Sequence, residues 1–328
     1  MATEESAPAV PALLGPGPGD ERSATRYLLL GGRVGLPTLG LYLRTLVGAA
    51  LWLGAPPLAA RLLARFGARD ALHHLERRWA RGVARHLRLR LELAGLEHLD
   101  PREAYVVAPL HESCADPLAL LHLPLKLRCA VRDEFLAWRL LGPYLRDTGH
   151  LALRPEEGAG SYRALRRAAP AVFAAGESLV VFPQGSILGI EADFLPGAFA
   201  LARALGRPLL PVALTGGHRV WEHPYTPRLR YGQRVSLRVL PPMPAGECLA
   251  RSVDELRREV QRRLKATALS GGMAPPRRFV PARDGYWDGY AYRIDPAFAE
   301  LAADVARHRA EVAPGASRAG AGPGAAGS

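Results

Sequence analysis

A histidine and an aspartate five residues apart follow a short apolar run and have the chemistry of an acid–base pair. The run, residues 106–108, stops at Pro109, and His111 and Asp116 come after it. Proteins of the α/β class place their chemistry in loops at the ends of such buried strands. We expect Ser113 to cap a short helix that contains Asp116, so that the carboxylate accepts a ring N–H of His111. The other ring nitrogen would then be free to act as a base.

Neighbouring residues offer other chemistry. Glu112 is adjacent to His111 and would point away from it, so Asp116 is the preferred partner. Cys114 could pair with the histidine as a nucleophile. However, a cysteine in a first helical turn with no third group specified is more typical of a small buried residue. The start of the predicted helix would also offer unpaired N–H groups to an anion.

Predicted strands and helices alternate along most of the chain on both sides of this pair. The alternation predicts an α/β fold with a mixed, largely parallel central sheet flanked by helices. Leucine at every second position from 87 to 93 predicts a half-buried strand, and Ser252 and Glu255 have the spacing of a helix capping box. The other predicted strands are 105–108, 127–131, 150–153, 179–182, 209–213 and 235–240, and the predicted helices are 117–121, 134–141, 160–175 and 196–205.

The most apolar stretch, residues 34–60, precedes the α/β region and carries one charge, Arg44. Its uncharged part is interrupted by two prolines and is shorter than the roughly 20 apolar residues of a spanning helix. We therefore expect a membrane-associating helical region that lies in the interface, with Arg44 and Arg61 reaching head groups and Trp52 at the boundary. A buried core helix is the alternative. The following segment, 70–86, is predicted to be a basic helix that faces solvent or phospholipid, with His73 and His74 on its solvated face.

The formal net charge is +12, and all but two of the 43 basic residues are arginines. Such a charge favours an anionic partner, either nucleic acid or an anionic membrane. Aromatic residues are only 7% of the chain and no nucleic-acid motif accompanies the basic clusters, so we expect a membrane partner and no nucleic acid. The three isolated cysteines indicate neither a disulfide framework nor a zinc knuckle, and they suit a reducing cytoplasm. The acidic start of the chain lacks the basic region of a secretory signal.

Three further blocks follow the His111–Asp116 pair in order. The second block, residues 149–154, is a predicted strand that ends in an arginine, and the fourth, residues 208–213, reads Pro-Leu-Leu-Pro-Val-Ala. The third, residues 176–186, is an apolar strand that breaks at Phe-Pro into a glycine turn. Together the four blocks resemble those of the glycerophospholipid acyltransferase family, the group of lysophosphatidic acid acyltransferases. The resemblance covers about residues 93–240.

This resemblance implies transfer of a fatty acyl group from a thioester to the hydroxyl of a lysophospholipid, lysophosphatidic acid in the first place, giving phosphatidic acid. His111 would be the general base and Asp116 the group that orients it. No metal or cofactor is implied, and acyl-CoA or acyl-carrier protein would be the co-substrate. Arg154 would bind the anionic head group, and backbone N–H groups near Gly185 and Ser186 would bind the oxyanion. The implied substrate-binding residues are Arg154, Phe182, Pro183, Gln184, Gly185 and Ser186.

The sequence also departs from the family pattern. Gln184 stands where the third block usually has glutamate, and Ser-Ile-Leu at 186–188 replaces Thr-Arg-Ser, so the arginine after the turn is missing. Pro196 stands where a lysine often precedes the glycine of the next helix. These differences leave the acceptor head group open, and another polar lyso-lipid, such as a lyso-amino-acid lipid, is an alternative. A non-catalytic lipid-binding relative is the alternative function, and a basic nucleic-acid-binding protein is a third.

The domain organisation follows from these patterns. We expect a disordered lead (1–22), a helical membrane-interface region (23–88), an acyltransferase α/β domain (89–270), a C-terminal appendage (271–312) and a disordered tail (313–328). The protein would work at the cytoplasmic face of a membrane, as a peripheral or shallowly inserted enzyme. Its partners would be membrane lipid and the acyl thioester donor, with acyl-carrier protein as one form of that donor.

Overall fold

The computed structural model describes residues 26–139, 141–154, 157–223, 226–284 and 292–312. Their centre is a seven-stranded sheet with the order β3-β9-β8-β4-β7-β5-β6. Five neighbouring strands, from β8 to β6, are parallel, whereas β9 runs antiparallel to β8 and pairs in parallel with β3. The predicted mixed, largely parallel sheet is confirmed. Its strands are β3 (Arg90–Ala94), β4 (Val106–Pro109), β5 (Leu127–Arg132), β6 (Leu151–Leu153), β7 (Ser178–Val180), β8 (Leu209–Thr215) and β9 (Arg234–Val239).

Helices cover both faces of this sheet. Because side chains alternate along a strand, Val106 and Ala108 of β4 pack into one core layer and Val107 packs into the other. The helices of the α/β region are α4 (Asp116–Leu120), α5 (Asp133–Leu136), α6 (Gly142–Asp147), α7 (Ala159–Ala174), α8 (Gly197–Leu205), α9 (Ala245–Ala250) and α10 (Val253–Leu269). The first core layer is covered by α7, α8 and α10, and the second includes residues of α4.

Most predicted elements are present, with shifts at their ends. Of the predicted helix 134–141, residues 134–136 belong to α5, and α6 begins at Gly142, just after the predicted end. The alternating leucines begin too early, because Leu87 ends the preceding helix and Arg88 has a positive φ of 54°, so β3 starts only at Arg90. The Ser252–Glu255 capping box is confirmed: Ser252 Oγ accepts the Glu255 N–H at 3.3 Å, and the Glu255 carboxylate accepts the Ser252 N–H at 2.8 Å.

Three helices precede the sheet, after a small hairpin that the sequence did not predict. The hairpin consists of β1 (Tyr27–Leu29) and β2 (Val34–Leu36), and the helices are α1 (Leu39–Leu53), α2 (Ala55–Arg65) and α3 (Arg69–His86). The apolar run breaks at Gly54, and Pro56 and Pro57 lie in the first turn of α2, where proline is tolerated. The stretch Leu39–Arg65 spans 27 residues, and an 18-residue window within it has a mean hydropathy of 1.5, so by length and composition alone it is long and apolar enough to cross a membrane.

Arg44 and Arg61 do not reach outwards as expected. The Arg44 guanidinium donates to the His86 carbonyl at 2.7 Å and lies over the Tyr231 ring. Arg61 pairs with Asp147 of α6 at 2.5 Å. Both arginines are therefore used to attach α1 and α2 to the rest of the protein, and Trp52 is half-buried against α3.

The predicted solvated position of His73 is wrong, although His74 is exposed. His73 is buried, and its ring nitrogens contact Glu177 at 2.7 Å and Glu76 at 3.1 Å. Arg128 of β5 lies beside the same two carboxylates. Burial alone would raise the pKa of Glu76, but its hydrogen bond with His73 and the charge of Arg128 lower that pKa to about 2. This cluster joins α3 to the beginning of β5 and β7, at the opposite ends of the strands from His111.

The described C-terminal residues pack against the α/β region. Met273 and Ala274, at the start of the predicted appendage, are buried, and the Ala274 N–H donates to Ser236 of β9 at 2.9 Å. Further on, α11 (Pro281–Asp284) and α12 (Ala299–Val312) follow, and Val305 packs on Leu188. Residues 285–291 of this appendage lie outside the described residues, as do the lead 1–22 and the tail 313–328.

Candidate active site

The candidate site lies where β4, β7 and β8 end. These three strands are parallel neighbours, so the residues that follow them meet at one edge of the sheet. His111 follows β4, Phe182 follows β7, and Gly216 and Gly217 follow β8. The crevice beyond the carboxyl ends of parallel strands is where open α/β sheets bind ligands.

His111 and Asp116 are in direct contact. The distance between His111 Nδ1 and Asp116 Oδ2 is 2.8 Å. Because a carboxylate only accepts hydrogen bonds, Nδ1 carries the proton and Nε2 has a free lone pair. The histidine side chain is 18% exposed while the aspartate is 1% exposed, so the imidazole can meet a substrate and the carboxylate cannot. This geometry is that of a general base with an orienting partner.

Backbone donors hold the Asp116 carboxylate in place. Its Oδ2 atom accepts the N–H groups of Glu112 at 2.7 Å and Ser113 at 2.9 Å. Because these two N–H groups donate to Asp116, they are not available to a substrate anion. The helix predicted after Ser113 is present, but Ser113 is not its N-cap residue: α4 starts after Ala115, whose N–H donates to Ser113 Oγ at 3.1 Å, and the Ser113 hydroxyl donates to the Trp221 carbonyl at 2.5 Å.

Gly217 is a residue of this site that the sequence did not reveal. A Cβ atom built on it would lie 2.2 Å from Asp116 Oδ1 and 3.1 Å from Ser113 Cβ. Only glycine therefore allows the end of β8 to approach the aspartate so closely. The signal was present in the sequence as the pair Gly216-Gly217 directly after an apolar strand. Behind Asp116, a small apolar cavity of about 30 Å³ separates α3 from α4.

Phe182 and Gln184 support His111 from the glycine turn. The Phe182 ring stacks on the imidazole with 3.9 Å between ring centroids. The Gln184 side chain is buried; its Oε1 accepts the His111 N–H at 2.7 Å, and its Nε2 donates to the Gly189 carbonyl at 2.8 Å. Gln184 was predicted to bind substrate, but the structure places it beneath the histidine, with both ends of its amide engaged.

We expect Gln184→Glu, which restores the residue of the family pattern, to lower the free energy of unfolding by about 1–3 kcal/mol. A carboxylate can still accept the His111 N–H, but it cannot donate to the Gly189 carbonyl. The buried carbonyl would then face a second acceptor. Urea unfolding of the two proteins measures the difference, with Gln233→Glu, at a less buried glutamine, as the control. Equal unfolding free energies for wild type and Gln184→Glu would contradict the assigned hydrogen bonds.

The other residues of the glycine turn serve mainly to shape it. Gly185 has a φ of +65°, and its N–H donates to the Phe182 carbonyl at 3.2 Å, so this N–H is not available to an oxyanion. Pro183 is buried, and its carbonyl accepts the Leu195 N–H at 2.7 Å. Ser186 is buried, and its hydroxyl has no hydrogen-bond partner within the described ranges. Ile187, which stands in place of the family's arginine, is buried in the core.

Arg154 lies at the same edge of the sheet but not beside His111. Between β4 and β6 there are two strands, and three spacings of roughly 4.8 Å put β6 about 14 Å from β4. The Arg154 side chain is 54% exposed and pairs with Asp133 at 3.2 Å and Glu157 at 3.1 Å. The structure therefore brings together His111, Asp116, Phe182 and Gln184, and leaves Arg154 at the periphery.

Glu112 and Cys114 are both engaged elsewhere. The Glu112 carboxylate accepts the N–H groups of Gly216 at 2.7 Å and Arg277 at 2.8 Å and contacts His218 Nδ1 at 2.9 Å. The Cys114 thiol donates to the His223 carbonyl at 3.3 Å, and burial raises its pKa to about 12. A thiol with that pKa is a poor nucleophile. Among the described residues, no group of three or more potential ligands is placed to hold a metal ion.

Residues 90–215 match the model of the family described as Acyltransferase. This segment begins at β3 and ends at β8, so it includes His111, Asp116 and the glycine turn. Over this segment the chain is similar to the Acyltransferase family. The 1-acyl-sn-glycerol-3-phosphate acyltransferases of Limnanthes alba and Limnanthes douglasii are 25% identical to it over 169 and 168 residues. Each alignment covers 50% of this chain and 58% of the relative, so the chain spans little more than half the length of these curated relatives.

A solved structure has the same fold. The crystal structure of the 1-acyl-sn-glycerophosphate (LPA) acyltransferase PlsC from Thermotoga maritima matches with a TM-score of 0.55 and 21% identity. The match covers 70% of this chain and 94% of that one. It therefore extends well beyond residues 90–215 and confirms the α/β architecture.

Proposed function

We propose that this protein is an O-acyltransferase that moves a fatty acyl group from acyl-CoA or acyl-carrier protein to the hydroxyl of a lysophospholipid. The observation that carries the proposal is the 2.8 Å contact between His111 Nδ1 and the buried Asp116 carboxylate, at the carboxyl end of β4. The names of the relatives support lysophosphatidic acid as the acceptor and phosphatidic acid as the product.

The chemistry uses the free His111 Nε2 atom. As the acceptor oxygen attacks the thioester carbonyl, Nε2 takes the hydroxyl proton, and Asp116 stabilises the imidazolium that forms. The tetrahedral intermediate then collapses: the carbon–sulfur bond breaks, and the imidazolium returns its proton to the departing thiolate. The ester and the free thiol are the products, and the imidazole is again neutral. No covalent enzyme intermediate is needed, because the lipid hydroxyl is itself the nucleophile.

Acyl transfer to a panel of acceptors tests this proposal. The purified full-length protein is incubated in vesicles with labelled acyl-CoA, or labelled acyl-carrier protein, and one lyso-lipid at a time. The panel contains lysophosphatidic acid, lysophosphatidylcholine and a lyso-amino-acid lipid. Transfer to lysophosphatidic acid is expected. Preference for another acceptor would assign the alternative substrate, and no transfer with either donor would favour a non-catalytic lipid-binding protein.

Arg154 stays the proposed contact for the acceptor phosphate, which its exposed side chain would reach by leaving Asp133 and Glu157 and extending along the edge of the sheet towards His111. We expect Arg154→Gln to raise the KM for lysophosphatidic acid about 10-fold or more, since hydrogen bonds to charged groups contribute about 1.5–3 kcal/mol. The kcat should change little, and Arg167→Gln, at an exposed position of α7, is the control. An unchanged KM would remove Arg154 from the acceptor site and leave its pairs with Asp133 and Glu157 as its role.

The α1–α2 region would hold the enzyme at the membrane. Both helices pack on α3, so one side of each is covered by protein. Their other side exposes a row of large apolar side chains, which a monomeric soluble protein seldom does. We propose that this side lies in the interface of the cytoplasmic leaflet, where lipid substrates reach the site laterally. The exposed residues are Leu39, Leu43, Leu46, Val47, Leu51, Leu58 and Leu62.

A further inference from the structure

A cavity of about 410 Å³ lies between α3 and the break that separates α1 from α2. Its volume falls in the range of small-molecule sites, about 300–1,000 Å³. It shares no lining residue with the His111–Asp116 site, and it lies on the side of α1 and α2 that faces α3. The lining residues are Trp52, Pro56, Leu75, Arg78, Trp79, Arg81, Gly82 and Arg85.

Three arginines give the cavity a strong positive charge. Arg78, Arg81 and Arg85 are spaced three and four residues apart, so they project from one side of α3. All three are exposed, and within the described part of the chain none of them forms an ion pair. Arg81 makes one contact, from Nε to the Arg77 carbonyl at 3.3 Å. No acidic side chain lines the cavity, so its charge is not balanced by the protein.

Two indole rings also line the cavity. They belong to Trp52 and Trp79, and both Nε1 atoms are themselves buried, with no hydrogen-bond partner among the residues that the structure describes. Trp79 is only 5% exposed, and a buried donor without a partner is uncommon in proteins. The Trp52 ring lies directly on Gly82, where a Cβ atom would come within 2.3 Å of it. Glycine at this position of α3 is therefore what allows the indole to close the cavity.

We propose that this cavity binds the phosphate head group of an anionic membrane phospholipid. Guanidinium groups match the geometry of phosphate oxygens, and tryptophan is a residue typical of the membrane interface. This lipid is distinct from the acceptor at His111, and it would join the membrane-facing helices to α3.

Titration with soluble short-chain lipids tests the proposal. The full-length protein is titrated calorimetrically with dihexanoyl phosphatidylglycerol below its micellar concentration, and separately with dihexanoyl phosphatidylcholine and with inorganic phosphate. Wild type is compared with the triple variant R78Q/R81Q/R85Q. The matched control is R163Q/R166Q/R167Q, which removes the same charge from three exposed positions of α7, a helix that packs with α8 and away from α1 and α2.

The affinity for phosphatidylglycerol should fall about 100-fold in the α3 variant, because each basic residue near an anionic lipid contributes about 1 kcal/mol, or about a fivefold factor, and three such factors multiply. The α7 variant should bind as wild type does, and phosphatidylcholine and inorganic phosphate should bind more weakly than phosphatidylglycerol. Equal losses in both variants would mean that net charge alone is responsible, and binding that survives in the α3 variant would place the lipid elsewhere. Inorganic phosphate binding as tightly as the lipid would indicate a free-phosphate site. Each of these three results overturns the proposal.

The titration contains no acyl donor, so its outcome does not depend on whether the protein catalyses acyl transfer. Because the three α3 arginines are exposed, the α3 variant should fold as wild type does. Thermal unfolding of wild type and both variants checks this directly.

Discussion

Replacing His111 with alanine should lower the rate of acyl transfer about 10³-fold, since a positioned general base contributes roughly 10²–10⁴. The imidazole is the basic group that the structure places at the end of β4 with an orienting carboxylate, 2.8 Å from Nδ1. Without it, the acceptor hydroxyl must lose its proton to water as it attacks. The initial rate with labelled donor and lysophosphatidic acid measures the loss.

His74→Ala is the matched control for this experiment. His74 is an exposed histidine on α3, so its removal should leave the rate of transfer unchanged. The fold of His111→Ala should survive, because the imidazole is partly exposed and Asp116 keeps its two backbone donors, Glu112 and Ser113. A folded His111→Ala protein that transfers acyl groups as fast as wild type would contradict the proposed mechanism.

Local patterns in the sequence predicted the framework of this site. The apolar run before Pro109 predicted β4, and the His111–Asp116 spacing predicted a contact that the structure contains. The Ser252–Glu255 capping box also formed as expected. Each of these features depends on residues within a few positions of one another. The physical cause is therefore visible in the sequence itself.

Features that depend on distant residues were missed. The helical pattern predicted that His73 lies on a solvated face. In the structure it is buried in contact with Glu177, which is 104 positions away in the sequence. Arg44 looked free to reach lipid, yet its guanidinium contacts His86, 42 positions away. In a chain whose basic residues are nearly all arginines, no local signal separates a buried arginine from an exposed one.

Arg277 is the clearest example of such a long-range contact. Its guanidinium is buried and pairs with Glu222 and with Asp284, and it also donates to the Leu188 carbonyl. Burial alone would lower the pKa of Arg277, but the two carboxylates raise it. Its backbone is used as well: the N–H donates to Glu112 at 2.8 Å, and the carbonyl accepts the Ile190 N–H at 2.9 Å. This one residue thus connects the C-terminal segment to the loop of His111 and to the glycine turn.

Arg277→Met should lower the free energy of unfolding by about 3–5 kcal/mol, which is the usual cost of removing one partner from a buried ion pair. The substitution removes the Arg277 cation from the buried carboxylates of Glu222 and Asp284, and urea unfolding measures the loss. Arg262→Met is the control: it removes an exposed pair with Glu259, 2.9 Å apart, and should cost at most about 1 kcal/mol. Adding Glu222→Gln to Arg277→Met should restore part of the stability, because one of the two buried carboxylate charges is then removed. A loss no larger than that of the control would show that the buried cluster contributes little to the attachment of the C-terminal segment.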